Sequence, residues 1–235
     1  MQPLPPMRFD VISEAALREL VGRPDPMILD IGCNDGEHTK WFLDLFPKAK
    51  VHAFEPDPRP RQRFKRLIKD RRARLWDVAL GATDGEAEFH ASTGDFMPPI
   101  KPGKGDWDQS GSLRKPRKHL DVFPGVRFER TIKVRTMRLD TFAREQKLGS
   151  IDLIWADVQG AEVDLIAGGA ETLARTRLLY TEYNDVEMYE GQVGLRRLLE
   201  LLPDFEVLAR WPGDVLLRNR SPRRTTADSR GRKIL

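Results

Sequence analysis

Polar and apolar positions in this chain follow two alternating periods. Short, almost wholly apolar runs occur at "MILDIGC" (27–33), "VHAFEP" (51–56), "RLWDVAL" (74–80), "IDLIWADV" (151–158) and "RLLYTEYND" (177–185). Runs of this length and composition read as strands covered on both faces. Between them the spacing turns helical: 13–21 behind the N-cap candidate Ser13, 39–46 ahead of Pro47, and 58–72 with the stripe Phe64, Leu67 and Ile68. It does so again over "AEVDLIAGGAETL" (161–173) and "GLRRLLELL" (194–202). "GATDGEAEFHAS" (81–92) turns through Asp84-Gly85 into an extra strand, and "RTIKVRTMRLDTFAREQ" (130–146) gives a strand and then a helix capped by Asp140. "FEVLARWPGDVLLRN" (205–219) reads as two strands joined by a tight Pro-Gly turn.

Alternating strands and helices predict an α/β fold, a Rossmann-like, doubly wound, mostly parallel sheet with a C-terminal antiparallel hairpin. One domain over 1–220 accommodates it, with 1–26 as an N-terminal helix and lead-in. Residues 92–126, crowded with Pro and Gly, form an irregular lid or acceptor loop in which Trp107 is expected to close over the site. In open sheets of this kind ligands bind beyond the carboxyl ends of the strands. The residues at those ends are carboxylates: Asp30, Glu55, Asp77, Asp157 and Glu182.

Gly32 and Gly36 allow a sharp turn and a close backbone approach, and the helix that follows directs its free N–H groups there. The pyrophosphate-binding pattern G-x-G-x-x-G is not met, because Asn34 stands where the middle glycine is needed. Asp30 would repel a diphosphate and would welcome a cation, such as the amino group or sulfonium of S-adenosylmethionine. Glu55, about 20 residues beyond Gly36, is placed to accept from a ribose diol. Asp77 is a candidate acceptor for an adenine amino group, with Val78 covering the ring. Asp157, Gly160 and Glu162 repeat the design at the fourth strand.

Charge changes the picture only locally. The chain carries net +4, but 218–235 holds seven basic residues against Asp228, so the remainder is slightly acidic. The segment 221–235 reads as a basic, disordered tail. The single cysteine, Cys33, cannot form an internal disulfide, no apolar run approaches the roughly 20 residues of a membrane span, and the N-terminus lacks a signal-like layout. A cytoplasmic protein is expected.

"LDIGCNDGEHT", "FEPDP", "DVALGATDGEAEF", "LDTF" and above all "IDLIWADVQGAE" resemble the FkbM family of S-adenosylmethionine-dependent methyltransferases. The resemblance runs from about Ile28 to Tyr183. It implies the class I methyltransferase fold and O-methylation of a hydroxyl on a sugar, glycan or natural product. It further implies that Asp30, Gly32, Asn34, Gly36 and Thr39 lie at the donor's amino-acid end, Glu55 at the ribose, Asp77 and Val78 at the adenine, and Asp157 near the transferred methyl. The family usually has glutamate where this chain has Gln159.

An alcohol acceptor must lose a proton, which calls for a base. Asp157 is the first candidate by position, with Glu162, His119 and Glu182 behind it; His38, His52 and His90 read as structural. A variant using Mg²⁺ would draw on Asp157, Asn184 and Asp185, three hard oxygen ligands at neighbouring strand ends. Two rival functions remain at this point. One is a nucleic-acid methyltransferase that uses the Arg-rich tail and the basic 59–74 helix on phosphates. The other is an NAD-binding oxidoreductase or a non-catalytic nucleoside-binding module.

Overall fold

The computed structural model describes residues 12–96 and 106–223. The lead-in before Ile12, the loop residues 97–105 and the basic tail from 224 onward lie outside the described residues. The main sheet has seven strands. Its first three are β1 (Met27–Ile31), β2 (Lys50–Phe54) and β3 (Ala73–Trp76). The chain then leaves this sheet to build a smaller one from β4 (Ala79–Leu80), β5 (Gly85–Gly94) and β6 (Val126–Met137). It returns for β7 (Ile151–Ala156), β8 (Thr176–Glu182), β9 (Phe205–Trp211) and β10 (Asp214–Asn219). The main-sheet order is β3-β2-β1-β7-β8-β10-β9, and the smaller sheet runs β4-β6-β5.

The expected doubly wound sheet is present, with two refinements. The terminal hairpin does not simply extend the edge: β10 inserts antiparallel between β8 and β9. The run 74–80 is not one strand. The chain breaks after Trp76, and Ala79 and Leu80 pair instead with Thr136 and Met137 of β6.

Strand alternation sorts side chains onto the two faces. On one face, Ile28, Leu153, Trp155, Leu178, Tyr180 and Leu216 pack against α1 (Glu14–Val21) and α2 (Glu37–Leu45) through Leu17, Val21, Phe42 and Leu45. On the other, Leu29, Ile31, Ile154, Leu179 and Leu217 meet helices that follow the smaller sheet. Of these, α5 (Leu139–Glu145) supplies Leu139 and Phe142, and α6 (Glu162–Gly168) and α7 (Ala170–Leu173) supply Leu165 and Leu173. Truncating a fully buried phenylalanine such as Phe42 or Phe142 is worth about 3–5 kcal/mol.

Local chemistry explains the helix ends. Ser13 Oγ accepts from Ala16 N–H at 3.3 Å, and Gly22, at φ +65°, closes α1. Asp57 caps α3 (Pro58–Leu67), whose first position holds Pro58, a residue suited to it. Asp140 does not cap its own helix. It is buried within α5 and accepts from the backbone N–H groups of Glu171 and Thr172 at the start of α7. The helix expected over 161–173 is accordingly two, parted at Gly168-Gly169, where the backbone packs too closely for side chains: a Cβ on Gly168 would lie 2.0 Å from Gly81 O.

Candidate active site

At the carboxyl ends of β1 and β7 the backbone crosses at very short range. Asp157 N–H donates to Ile31 O at 2.9 Å, and a Cβ on Gly32 would sit 1.8 Å from Asp157 O. Gly32 also has φ +80°, so its glycine is required twice over. Gly36, at φ +93°, is required by packing: a Cβ there would meet the Phe64 ring of α3 at 2.5 Å. Gly36 does not line the cleft in front of these strands; Gly32, Cys33 and Asn34 do.

That cleft is open to solvent. Glu55 forms its acidic wall. Its Oε2 accepts from Asn34 N–H at 3.0 Å and its Oε1 from Asp57 N–H at 2.7 Å, which fixes both oxygens while leaving each a lone pair. Burial pushes this carboxyl up to about 8, opposed by the two backbone bonds that favour the ionised form. Val78, Leu80 and Phe89 make the apolar wall, and among the described residues neither Lys nor Arg lines the cleft.

Besides Gly36, three expected donor contacts are absent from it. Asp77 follows the end of β3 and points outward, its side chain 66 % exposed and paired with Arg61 at 3.1 Å. Asp30 and Thr39 lie behind the cleft, on the α2 face: Thr39 Oγ1 donates to Asp30 Oδ2, both residues are buried, and neither lines the cleft. The parity that sends Leu29 and Ile31 to one face sends Asp30 to the other, beneath α2. Burial pushes its carboxyl up to about 7.

A second cavity opens on the far side of Asp157. Its walls include Trp107, His119, Tyr183 and Tyr189, the strand-end acid Glu182, and Asp214 just beyond the Pro212-Gly213 turn. His38, Gln109, Asp157 and Gln159 line both cavities and form the partition between them.

Gln159 organises that partition. Held at φ +50°, it donates through Nε2 to Asp157 Oδ1 at 2.6 Å and to Glu182 Oε2 at 2.9 Å. Tyr189 OH lies 2.9 Å from both Gln159 Oε1 and Ser110 O, and Ser112 Oγ donates to Gln159 O. The carboxyls of Asp157 and Glu182 also bond to each other. Burial raises both. The neighbouring Asp157 raises Glu182 further, so the two carboxyls titrate as a pair above the ordinary carboxylate range.

Glu162 belongs to neither cavity. It is buried and accepts from Gly160 N–H at 3.2 Å, a turn-capping role, so its placement as a base is not supported. Asn184 lines the second cavity with Asp157, but Asp185 does not. Asn184 Oδ1 accepts from Val186 N–H, while Asp185 Oδ1 accepts from Leu195 N–H and faces a separate shallow surface pocket.

The described end of the 92–126 loop closes over both cavities. Trp107 stacks on Phe96 at 4.5 Å and donates to Ser110 Oγ at 2.9 Å, while Asp108, Gly111 and Leu113 cover the first cleft. The arginines of α3 hold this strap down. Arg59 pairs with Asp106 at 2.8 Å and Arg63 with Asp108 at 2.7 Å; Asn34 Nδ2 also donates to Asp108. With Arg61 on Asp77, three cations of the basic helix serve intramolecular pairs instead of an external phosphate. Sequence reasoning takes His38 as structural, whereas it lies in the partition against Trp155 at 4.9 Å, and it passes over Tyr189, which Gln159 joins to the two acids.

Residues 30–210 match the methyltransferase FkbM domain. The chain is 52 % identical over 205 residues to the 2-O-methyltransferase NoeI of Sinorhizobium fredii, covering 85 % of this chain and 82 % of that one. It is 28 % identical over 183 residues to the AMB antimetabolite synthetase AmbE of Pseudomonas aeruginosa, covering 69 % of this chain and 8 % of that much longer protein. In architecture it resembles the crystal structure of methyltransferase FkbM from Methylobacillus flagellatus, with a TM-score of 0.53 at 13 % identity, over 83 % of this chain and 44 % of that one.

Proposed function

The chain belongs to the FkbM methyltransferase family and is an S-adenosylmethionine-dependent methyltransferase, and on that premise we propose that it methylates a hydroxyl oxygen of a sugar or similarly hydroxylated small molecule. One observation carries the reading: two cavities that share a single partition, with Asp157 open to both. A methyl donor on one side and an alcohol on the other would then meet at one carboxyl-bearing wall, and holding two reactants in line supplies most of the catalysis in such a displacement.

The donor supplies an electrophilic methyl group on a positively charged sulfur. The first cleft suits it chemically. Glu55 retains lone pairs for a ribose diol, Val78 and Phe89 offer an apolar face for adenine, and the acidic lining, free of Lys and Arg among the described residues, favours a cation over a diphosphate. Asp30 and Thr39 support the strand from behind, and Asp77 takes no part.

The acceptor hydroxyl must release its proton as the new C–O bond forms. Asp157 is the base in this reading, and Glu182 acts with it. Gln159 donates to both carboxyls and keeps them adjacent, so that one proton is held between them and an ionised oxygen remains to take another. No divalent ion is required by this arrangement. The nucleic-acid alternative is disfavoured by the second cavity, which carries Asp157, Glu182 and Asp214 and, among the described residues, no Lys or Arg.

The test is incubation with S-adenosyl-[methyl-¹³C]methionine and a panel of methyl pyranosides of neutral hexoses, 6-deoxyhexoses and pentoses, beside total RNA. The expected product is a ¹³C-labelled methyl ether on a glycoside, formed equally well in EDTA. Label on RNA, or on no acceptor, would overturn the proposal.

A further inference from the structure

His119 opens the short helix α4 (His119–Val122), where the strap returns toward β6. Its backbone N–H donates to Met188 O at 3.2 Å, which anchors it to the segment that also carries Tyr189. The ring is 3 % exposed and packed among aromatic side chains: Phe123 at 5.1 Å, Phe128 edge-on at 5.2 Å, and Tyr189 at 5.3 Å. Despite this burial, Nδ1 has no hydrogen-bond partner, and the residue forms part of the wall of the second cavity.

An aromatic cage does not need an imidazole, since phenylalanine would fill the same space without stranding a polar atom. Burial holds the ring neutral at physiological pH, its pKa lowered to about 4. A neutral imidazole has one N–H and one bare nitrogen. Among backbone groups, buried N–H left unpaired is rarer than an under-satisfied buried acceptor, and we extend that ordering to the ring nitrogens. The hydrogen therefore belongs on Nε2 and the bare lone pair on Nδ1.

Nε2, unlike Nδ1, is not a buried unpartnered atom, and it belongs to a residue of the cavity wall whose other groups define what its N–H can meet. Asp157, Glu182 and Asp214 make it acidic, among the described residues no cation lines it, and Gln192 and Asn184 add neutral polar groups. An anionic ligand would be repelled. A neutral oxygen is the fitting partner.

We propose that His119 is a specificity-determining residue that donates Nε2–H to an uncharged oxygen of the acceptor, a hydroxyl or ring oxygen other than the one methylated. This rests on the reading of the second cavity as the acceptor site. His119 serves recognition and takes no proton from the reacting hydroxyl.

The test uses the full-length enzyme, with the best-turned-over neutral glycoside of the panel as probe. His119→Phe should raise the acceptor KM about tenfold, the worth of one neutral hydrogen bond, with kcat within about threefold. His119→Gln, whose amide can supply an N–H, should recover most of that loss. Affinity for S-adenosylhomocysteine and thermal stability should stay near the parent's in both. An unchanged KM in His119→Phe, or a collapse of kcat at unchanged KM, would overturn the proposal. A second measurement needs no acceptor: ¹⁵N-histidine spectra of the enzyme saturated with S-adenosylhomocysteine should report a neutral Nε2–H tautomer for His119 at pH 7. An Nδ1–H tautomer or an imidazolium would overturn it. Failure of every glycoside to react would count against the acceptor class, whereas the ¹⁵N result bears on His119 itself.

Discussion

Replacing Glu55 by glutamine separates a ligand-binding carboxylate from an ordinary turn acid. Both Glu55 oxygens accept backbone N–H bonds, from Asn34 at 3.0 Å and Asp57 at 2.7 Å. Glutamine can satisfy only one of them and turns its own N–H₂ toward the other. It also removes one charge-assisted acceptor for a ribose hydroxyl, worth about 1.5–3 kcal/mol, or roughly 10- to 150-fold in affinity. Proton linkage sharpens the test. Burial sets the free carboxyl at about 8, and a ligand that donates to the ionised form lowers that value on binding. Affinity for S-adenosylhomocysteine should therefore tighten as pH rises from 6 to 8, with proton release, by at most about tenfold per unit. In Glu55→Gln it should be weaker and flat. Asp77→Asn is the control: its exposed pair with Arg61 is worth at most about 1 kcal/mol of stability and should leave the affinity within about twofold. Isothermal titration at three pH values in buffers of different ionisation enthalpy reads all of this. A pH-independent affinity that Glu55→Gln leaves intact, or a tenfold loss in Asp77→Asn, would refute the reasoning.

Other outcomes follow from the same geometry. Asp30 has a folded pKa of about 7, raised by burial from 3.8, so its contribution to stability falls as pH rises from about 4 through 7. Asp30→Asn, which keeps an acceptor for Thr39, should stabilise the protein at pH 8 by on the order of 2 kcal/mol without changing donor affinity, as read by thermal melts and calorimetry. Gly32→Ala adds about 1–2 kcal/mol of left-handed backbone strain and a clash with Asp157 O, and should lower turnover at least about a hundredfold. A turnover near the parent's would contradict that crossing. Activity should rise with pH as the Asp157–Glu182 pair is ionised, with a midpoint above the ordinary carboxylate value of about 4. Gln159→Glu, which replaces the bridging donor with a third acid, should move the limb higher; a flat profile between pH 5 and 8 would argue against the pair.

Much of this architecture is legible in the residues, because continuous apolar runs and 3.6-period stripes report burial directly. Gly32, Glu55, Val78 and Asp157 were legible for the same reason: each lies at or beyond the carboxyl end of an apolar run and faces the first cleft. Asp30 and Asp77 show the limit. Both look like strand-end acids, yet one lies a residue inside β1 with its side chain under α2, and the other follows a strand that ends at Trp76 and turns outward to Arg61. Glu162 and Asp140 show that a buried acid can cap a neighbouring turn or helix as easily as its own. The Gln159 bridge joins residues from three separate segments, and no local pattern announces which polar groups a left-handed residue will bring together.

The most direct measurement of the central claim is a crystal structure of the enzyme with S-adenosylhomocysteine. The ribose should lie on Glu55, the adenine against Val78, and the sulfur should face the partition formed by Asp157 and Gln159. A nucleoside seated in the cavity of Trp107 and His119, or a sulfur turned away from Asp157, would contradict it.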